Sequence, residues 1–218
     1  MPRNFTVIEC EQRSSEWFAT RAGVLGASSA GDMLARIKTG EASGRRDLRT
    51  RLVVERLTGQ PVEDGYINAD MQRGIDLEPE ARAAYEAETS ELVQQVGYLK
   101  HDTLPIGCSP DGIVGDFEGG VEIKCPRSAN HLRYLREKCL PLEYVAQITH
   151  SLFVTGAPWW DFVSYDPRFP EPLRVFIVRV RREEVDLAAY EVALSLFLTE
   201  VDKETAEVVA LAAERTAA

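Results

Sequence analysis

Asp111 and, eleven positions on, Glu122 with Lys124 are the residues of this 218-residue chain whose types and spacing point to chemistry. The string SPDGIVGDFEGGVEIKCP puts Asp111 at the end of one predicted strand and Glu122-Ile123-Lys124 inside the next. Side chains alternate along a strand, so Glu122 and Lys124 share a face while Ile123 points into the core. Gly112 and the Gly119-Gly120 pair predict a tight hairpin that brings Asp111 beside Glu122. Two carboxylates that close repel each other unless a cation holds them, and hard oxygen donors favour Mg²⁺ or Mn²⁺. Such an ion polarises a phosphoryl oxygen and lowers the pKa of a bound water, and a second stabilises the leaving oxygen. Lys124 is then placed to position or deprotonate the water and to offset developing charge. Read alone, the same residues also describe an ordinary hairpin with an exposed Glu–Lys pair.

The elements that must position this site follow from apolar spacing and turn residues. Ser28-Ser29 followed by Asp32 predicts a capped short helix to about Ile37, and Lys38–Gly44 a loop. Leu48, Leu52, Val53 and Leu57 predict a helix ended by Gly59 and Pro61. A further helix spans about Asn68–Thr89, with Pro79 kinking it or opening its second part. ELVQQVGYLK, TLPIGCSPDGIVG and GGVEIKCP read as three strands. Helices are predicted around Ser128–Lys138 and Leu142–Val154, strands at WWDFVSYDP and LRVFIVRV, and a long helix at about 182–215. The fold class expected is α/β, a central mixed β-sheet flanked by helices, in one domain over residues 1–218.

Composition sets limits. No apolar run approaches the roughly 18–20 residues that span a bilayer, and MPRNFTVIECEQRSSEW lacks an apolar leader, so a cytoplasmic protein without membrane contact is expected. Cys10, Cys108, Cys125 and Cys139 are scattered, against a zinc or iron–sulfur site, and are expected reduced. The net charge of −10, from 25 basic and 35 acidic residues, taken alone argues against a nucleic-acid binder. The charge is uneven, however: residues 1–60 carry ten basic and seven acidic side chains, residues 61–100 three and nine, and residues 181–218 four and nine. Arg36, Lys38, Arg45, Arg46, Arg49, Arg51 and Arg56 form either a solvated helix face or a basic strip for phosphates.

Pro110-Asp111 with Glu122-Ile123-Lys124 resembles the PD-(D/E)-x-K nuclease signature. The surrounding blocks resemble one branch of it, the phage lambda exonuclease or YqaJ-type viral recombinase family of alkaline exonucleases. EWFATRAGVLGASSA is similar to its W-x-x-R-x-G-x-x-x-A-S opening, and RGIDLEPEARAAYE to its G-x-x-x-E-x-x-A helix. CSPDGIVG and GGVEIKCP match its metal block, and EYVAQITHSLFVTGAPWWDFVSYDPR its Y-x-x-Q helix and Y-D-P-R strand. The blocks keep the family order over about residues 12–168.

The resemblance implies a restriction-endonuclease-like core, over about 12–180, and a 5′→3′ exonuclease that processively digests one strand of linear double-stranded DNA. It implies Asp111 and Glu122 as metal carboxylates, the Ile123 carbonyl as a further ligand, Glu78 for a second ion, Lys124 as the catalytic lysine, and Gln147 near the attacking water. Arg21, Ser28 and Ser109 correspond to the pocket for the 5′-phosphate. Two Mg²⁺ ions, a homotrimeric ring and a single-strand annealing protein as partner come with it. A further family acid falls near His101-Asp102, where Asp102 or no residue fills it. Of Arg45, Arg46 and Arg49, Arg45 is expected to guide the duplex end. Tyr144 matches the motif but is expected as a core aromatic with a hydrogen-bonded hydroxyl, and Trp159 and Trp160 as core or subunit contacts. The alternatives are a site- or structure-specific endonuclease of the same fold, or a non-catalytic DNA-end-binding recombination protein.

Overall fold

The structure, a computed structural model, describes residues 3–62 and 68–217; Glu63 and Asp64 of the acidic block lie outside it. Its elements in chain order are β1 (Phe5–Ile8), α1 (Ser15–Arg21), β2 (Leu25–Gly26), α2 (Ala30–Leu34), α3 (Ser43–Thr58), α4 (Ala69–Thr89), β3 (Val93–Gln94), β4 (Tyr98–His101) and β5 (Ile106–Cys108). There follow β6 (Gly112–Val114), β7 (Gly119–Lys124), α5 (Ser128–Glu137), α6 (Leu142–Thr155), β8 (Trp159–Tyr165), β9 (Val175–Arg181) and α7 (Leu187–Ala217). Both sheets are mixed: one has the order β1-β4-β5-β2 and the other β3-β6-β7-β8-β9. Within them β2 runs parallel to β5 and β7 parallel to β8, and the other pairings are antiparallel. The expected mixed α/β architecture with flanking helices and a long C-terminal helix is present, with its strands shared between two sheets.

Two segments expected as single strands are each cut in two. ELVQQVGYLK supplies β3 to one sheet and β4 to the other, and TLPIGCSPDGIVG supplies β5 and then β6. Pro110 has no N–H to give a ladder, so the strand cannot run on from Cys108. The chain therefore crosses from one sheet to the other over Ser109-Pro110-Asp111. That crossing is where two candidate site residues lie.

The hairpin joining β6 to β7 also differs from the sequence expectation. Gly112 is paired with Val121, Ile113 with Gly120 and Val114 with Gly119, so all three glycines sit inside the ladder. The turn is made by Gly115 (φ 59°) and Phe117 (φ 64°). Gly119 and Gly120 are needed for another reason: a Cβ on either would run into the Trp159 or Trp160 ring of the neighbouring parallel strand.

Strand β7 packs on both faces. Val121 and Ile123 join Ala81 and Tyr85 of α4 with Val163 and Tyr165 of β8 in one apolar cluster. Phe162 and Trp160 belong to the larger cluster, with Ile148 and Leu152 of α6, Leu48 and Leu52 of α3, and Leu194, Phe197 and Val201 of α7. Helix α3 ends at Gly59 (φ 66°) as expected, although Leu57 stays exposed. Helix α4 starts from an Asn68 cap and runs unbroken through Pro79. The single hydrogen bond that proline removes is tolerated because Ala81 and Tyr85 beyond it are fully buried. The Ser28-Ser29 segment is a 3-10 turn, Ala27–Ser29, without side-chain capping, and the helix after it stops at Leu34. There Ser29 Oγ accepts instead from Arg51 at 3.1 Å. No helix among the described residues is long and apolar enough to cross a membrane.

Candidate active site

The register of the hairpin fixes the first contacts. Gly112 faces Val121, so Asp111 lies one step beyond the ladder: its N–H donates to the Val121 carbonyl at 3.2 Å. Its Oδ2 accepts from the Ile123 N–H at 2.6 Å. On the other face of β7, Glu122 is 3% exposed and accepts at one oxygen, Oε1, from Lys124 Nζ at 2.5 Å and from Gln147 Nε2 of α6 at 2.6 Å. Tyr144, one turn before Gln147, stacks on Phe162 with ring centroids 4.9 Å apart, and Lys124 Nζ lies 5.4 Å from its ring centre. Tyr144 is thus part core aromatic, as expected, and part wall of the site.

Electrostatics single out Asp111. Burial raises its pKa above the ordinary carboxylate range, and the neighbouring Glu122 and Glu78 push the same way against Lys124. Lys124 alone does not offset those effects, and a divalent cation would add the positive charge that a carboxylate in that position calls for. The donors on offer are oxygens of Asp111, Glu122 and Glu78 and the main-chain carbonyl of Ile123, a hard set that fits Mg²⁺ or Mn²⁺. Among the described residues no three His, Cys, Asp or Glu side chains are already grouped tightly enough to hold an ion. Lys124 is opposed by burial, but Glu122 and Asp111 outweigh that and hold its ammonium charged.

Glu78 reaches the site from α4 with two arginines on it. Arg82, one turn later, donates to Glu78 Oε1 at 2.6 Å and to the Asp111 carbonyl at 3.3 Å. Arg13 lies 3.6 Å from Glu78 Oε2. Arg13 and Glu78 line a cavity of about 710 Å³ that also takes in Asp111, Ile123, Lys124 and Tyr144. Arg73 donates from its guanidinium to the carbonyls of Cys125 (3.1 Å) and Pro126, two lining residues of that cavity directly after β7. Arg73 also reaches the fully buried Asp166 at the end of β8.

A second group of contacts lies at the start of the crossing segment. Trp17 of α1 donates from Nε1 to Ser109 Oγ at 2.8 Å, and the Arg21 guanidinium lies over the Trp17 ring at 3.7 Å. Gly26 passes close enough that a Cβ there would sit 3.4 Å from Arg21 Nη2. No carboxylate pairs with Arg21 among the described residues. Burial and the like charge of Arg51 push its pKa below the ordinary guanidinium range, with Tyr98 and Glu55 opposing. An anion would relieve both effects. Ser28 is exposed on the adjacent 3-10 turn.

Other expected residues are elsewhere. Arg45 donates to Glu41 (2.6 Å) and forks onto Glu200 of α7 (2.7 and 3.0 Å), with Phe197 beneath it. Arg49 pairs with Glu41 and with Glu204, and Arg56 with Asp202. Three residues of the basic strip, Arg45, Arg49 and Arg56, are thus paired with the acidic C-terminal helix, and Arg46 is exposed beside Asp47. Asp102 accepts from Thr6 Oγ1 at 2.8 Å at the β1 edge and joins no metal donor. Trp160 is buried, and Trp159 carries the Arg179 guanidinium 3.5 Å above its ring. Cys108 and Cys125 are buried free thiols, and burial pushes Cys125 up to about 12.

Arg13, Trp17, Arg73 and Arg82 are the site residues that the sequence reading did not single out. The i,i+4 spacing of Glu78 and Arg82 was a usable signal. Nothing local marked Arg73, whose partners are about 50 and 93 residues away.

The chain matches the family of YqaJ-like viral recombinase domains over residues 16–158. LHK-Exo, an alkaline exonuclease from Laribacter hongkongensis whose solved structures include a complex with dAMP, is 39% identical, with a TM-score of 0.83 over 92% of this chain and 99% of its own. A phage-related exonuclease from Haemophilus somnus 129PT shares the fold at 12% identity, with a TM-score of 0.61 over 86% of this chain and 95% of that one. The uncharacterised protein ExoD of Escherichia coli K12 is 31% identical over 65 residues, 30% of this chain and 74% of that one.

Proposed function

The chain belongs to the phage lambda exonuclease/YqaJ-type viral recombinase family, and from that premise we propose that it is a DNA exonuclease of recombination. The finer reading is a Mg²⁺-dependent enzyme that digests one strand of linear double-stranded DNA from a 5′-phosphorylated end. It leaves a 3′ single-stranded tail for strand annealing. One observation carries it: on β7, Glu122 gathers Lys124 and Gln147 by short hydrogen bonds while Asp111 is bonded to the Ile123 N–H between them, near enough for its charge to act on Glu122 and Lys124.

In this reading Asp111, Glu122, the Ile123 carbonyl and Glu78 hold Mg²⁺, two ions at full occupancy, with Mn²⁺ as a substitute. When bound, the metal supplies Lewis-acid polarisation of the scissile phosphoryl group and a more acidic water. Lys124, held by Glu122, offers its ammonium to the charge that grows on the phosphoryl oxygens as the P–O bond is cut. Gln147 fixes the Glu122 carboxylate by donating to its Oε1, the same oxygen that accepts from Lys124. Arg21 forks onto the terminal 5′-phosphate, with Ser109 and Ser28 as hydroxyl donors, and the Trp17 ring holds the guanidinium in place. Fixing the strand end so close to the reacting edge converts encounter into orientation.

A homotrimeric ring, an annealing protein as partner and action in the cytoplasm complete the proposal, on the family resemblance. Its test is digestion of end-labelled linear duplex beside closed circular DNA, with and without Mg²⁺. Mononucleotide release from 5′-phosphorylated linear DNA alone is the expected result. Cutting of the closed circle would replace the reading with an endonuclease, and no hydrolysis of either substrate would remove it.

A further inference from the structure

Arg13 stands at the mouth of the site in a backbone conformation that an arginine rarely adopts. It is the third residue of a turn closed by the Ser14 N–H on the Glu11 carbonyl at 3.1 Å, and its φ is 71°. Glycine or asparagine normally takes a turn position with positive φ, and a long side chain such as arginine is uncommon there. The turn is nevertheless pinned. Gln12 donates from its side-chain amide to the Val96 carbonyl at 3.2 Å and to the Pro110 carbonyl, one residue before Asp111, at 2.9 Å. Ser14 then caps α1 by accepting from the Trp17 N–H at 3.2 Å.

The charge so placed is not needed by its neighbour. Glu78 already receives Arg82 in a 2.6 Å hydrogen bond, and both of those side chains are largely buried, 12% and 19% exposed. Arg13 adds only a loose approach of 3.6 Å from a side chain that is 46% exposed. It also lines both the 710 Å³ cavity and a second one of about 330 Å³, which meet at Arg13, Glu78 and Asp111. A strained backbone, a clamp beside Asp111 and a surplus guanidinium between two cavities share one explanation.

We propose that Arg13 is a substrate-contacting residue. Its guanidinium leaves Glu78 for a backbone phosphate of the DNA strand entering the site, the one next to the bond being cut. This rests on the nuclease reading above. Glu78 holds the arginine at the mouth, and a phosphate, offering two oxygens to a planar fork, takes it over.

The test pairs Arg13→Gly with Arg13→Lys in the full chain. Binding of a blunt, 5′-phosphorylated duplex is read by fluorescence anisotropy with Ca²⁺ in place of Mg²⁺, over a series of salt concentrations, beside the thermal midpoint and Mg²⁺-dependent digestion. Arg13→Gly relieves the positive φ, so its Tm is expected to equal or exceed that of the wild type, higher by about 2 °C. Its duplex affinity is expected to fall about tenfold or more, with the salt slope smaller by about one. Arg13→Lys should keep the salt slope and lose part of the affinity. A glycine variant that binds and digests like the wild type overturns the role of Arg13 and leaves the nuclease reading standing. So does one that loses affinity in step with a lowered Tm. A wild-type protein that neither binds nor digests the duplex overturns both.

Discussion

The side chain of Asp111 and the main-chain N–H of Ile123 are joined by a 2.6 Å hydrogen bond across the β6–β7 hairpin. One carboxylate thus serves two tasks, since Oδ2 holds the hairpin register while the rest of the group faces the cavity. Asp111→Asn separates the tasks, because an amide oxygen still accepts from Ile123. Hydrolysis is expected to fall at least a hundredfold with a Tm within about 2 °C of the wild type. The paired measurements are Mg²⁺-dependent digestion and thermal unfolding; retained digestion removes Asp111 from the metal set.

Gln147 reaches the site only through Glu122, so its loss should be felt as a loosened ligand. Gln147→Leu is expected to raise the Mg²⁺ concentration for half-maximal activity by about tenfold or more, in line with other outer-shell ligand contacts. A metal titration at saturating DNA reads this. An unchanged titration with a lower maximal rate would assign Gln147 to the substrate instead.

Arg21 should govern the strand end rather than the cut. Arg21→Ala is expected to reduce the preference for a 5′-phosphoryl over a 5′-hydroxyl duplex by about tenfold or more, with a smaller effect on digestion of the hydroxyl substrate. Digestion rates of the two duplexes side by side decide it. An unchanged ratio would leave the Arg21 pocket without its phosphate.

Arg45 makes the opposite prediction. Hydrogen bonds from Glu200 and Glu41 raise its pKa against the cost of burial, the pattern of a structural ion-pair network. Arg45→Ala is expected to cost about 1 kcal/mol and lower Tm by about 2–4 °C, with the salt slope of duplex binding unchanged. A shallower slope would return Arg45 to the DNA.

Asp166 carries a pH dependence whose sign can be worked out. Burial acts to raise its pKa, but hydrogen bonds from Arg168 and Ser128 overcome it and hold the carboxyl well below the ordinary range. A folded-state pKa depressed below the unfolded value of about 3.9 gives stability that is full above pH 4 and is lost as the pH falls further. Asp166→Asn should therefore be less stable than the wild type at pH 7, and the gap should close on acidification below about pH 4. Thermal melts of both proteins from pH 7 to 2.5 test this; a gap that stays constant would show that the charge on Asp166 is not what matters.

Much of this was written locally. The alternation in Glu122-Ile123-Lys124 put two polar side chains on one face of β7 and Ile123 on the other, as found. Asn68 and Gly59 marked the helix ends where the chain turns. What local pattern could not carry was pairing at a distance. Gly119 and Gly120 look like turn residues until Trp159 and Trp160 come to lie over them from a strand some 40 residues later. The arginines of α3 look like a phosphate strip until Glu200, Asp202 and Glu204 meet them. The net charge is likewise silent on placement: Glu200, Asp202 and Glu204 of the tail neutralise arginines of that strip, and Glu78, Asp111 and Glu122 belong to the candidate active site.

The crossing from one sheet to the other over Ser109-Pro110-Asp111 sets a length. Ser109 is tied to Trp17 and Asp111 to Ile123, each by a side-chain hydrogen bond, and Pro110 stiffens the link between them. Two residue steps span at most about 7 Å, so the segment would work as a ruler between the proposed strand-end pocket and the proposed metal site. A nuclease built on it measures one unit from the end whatever the base. Insertion of a residue into the ruler should change the size of the fragment released before it changes which DNA is bound.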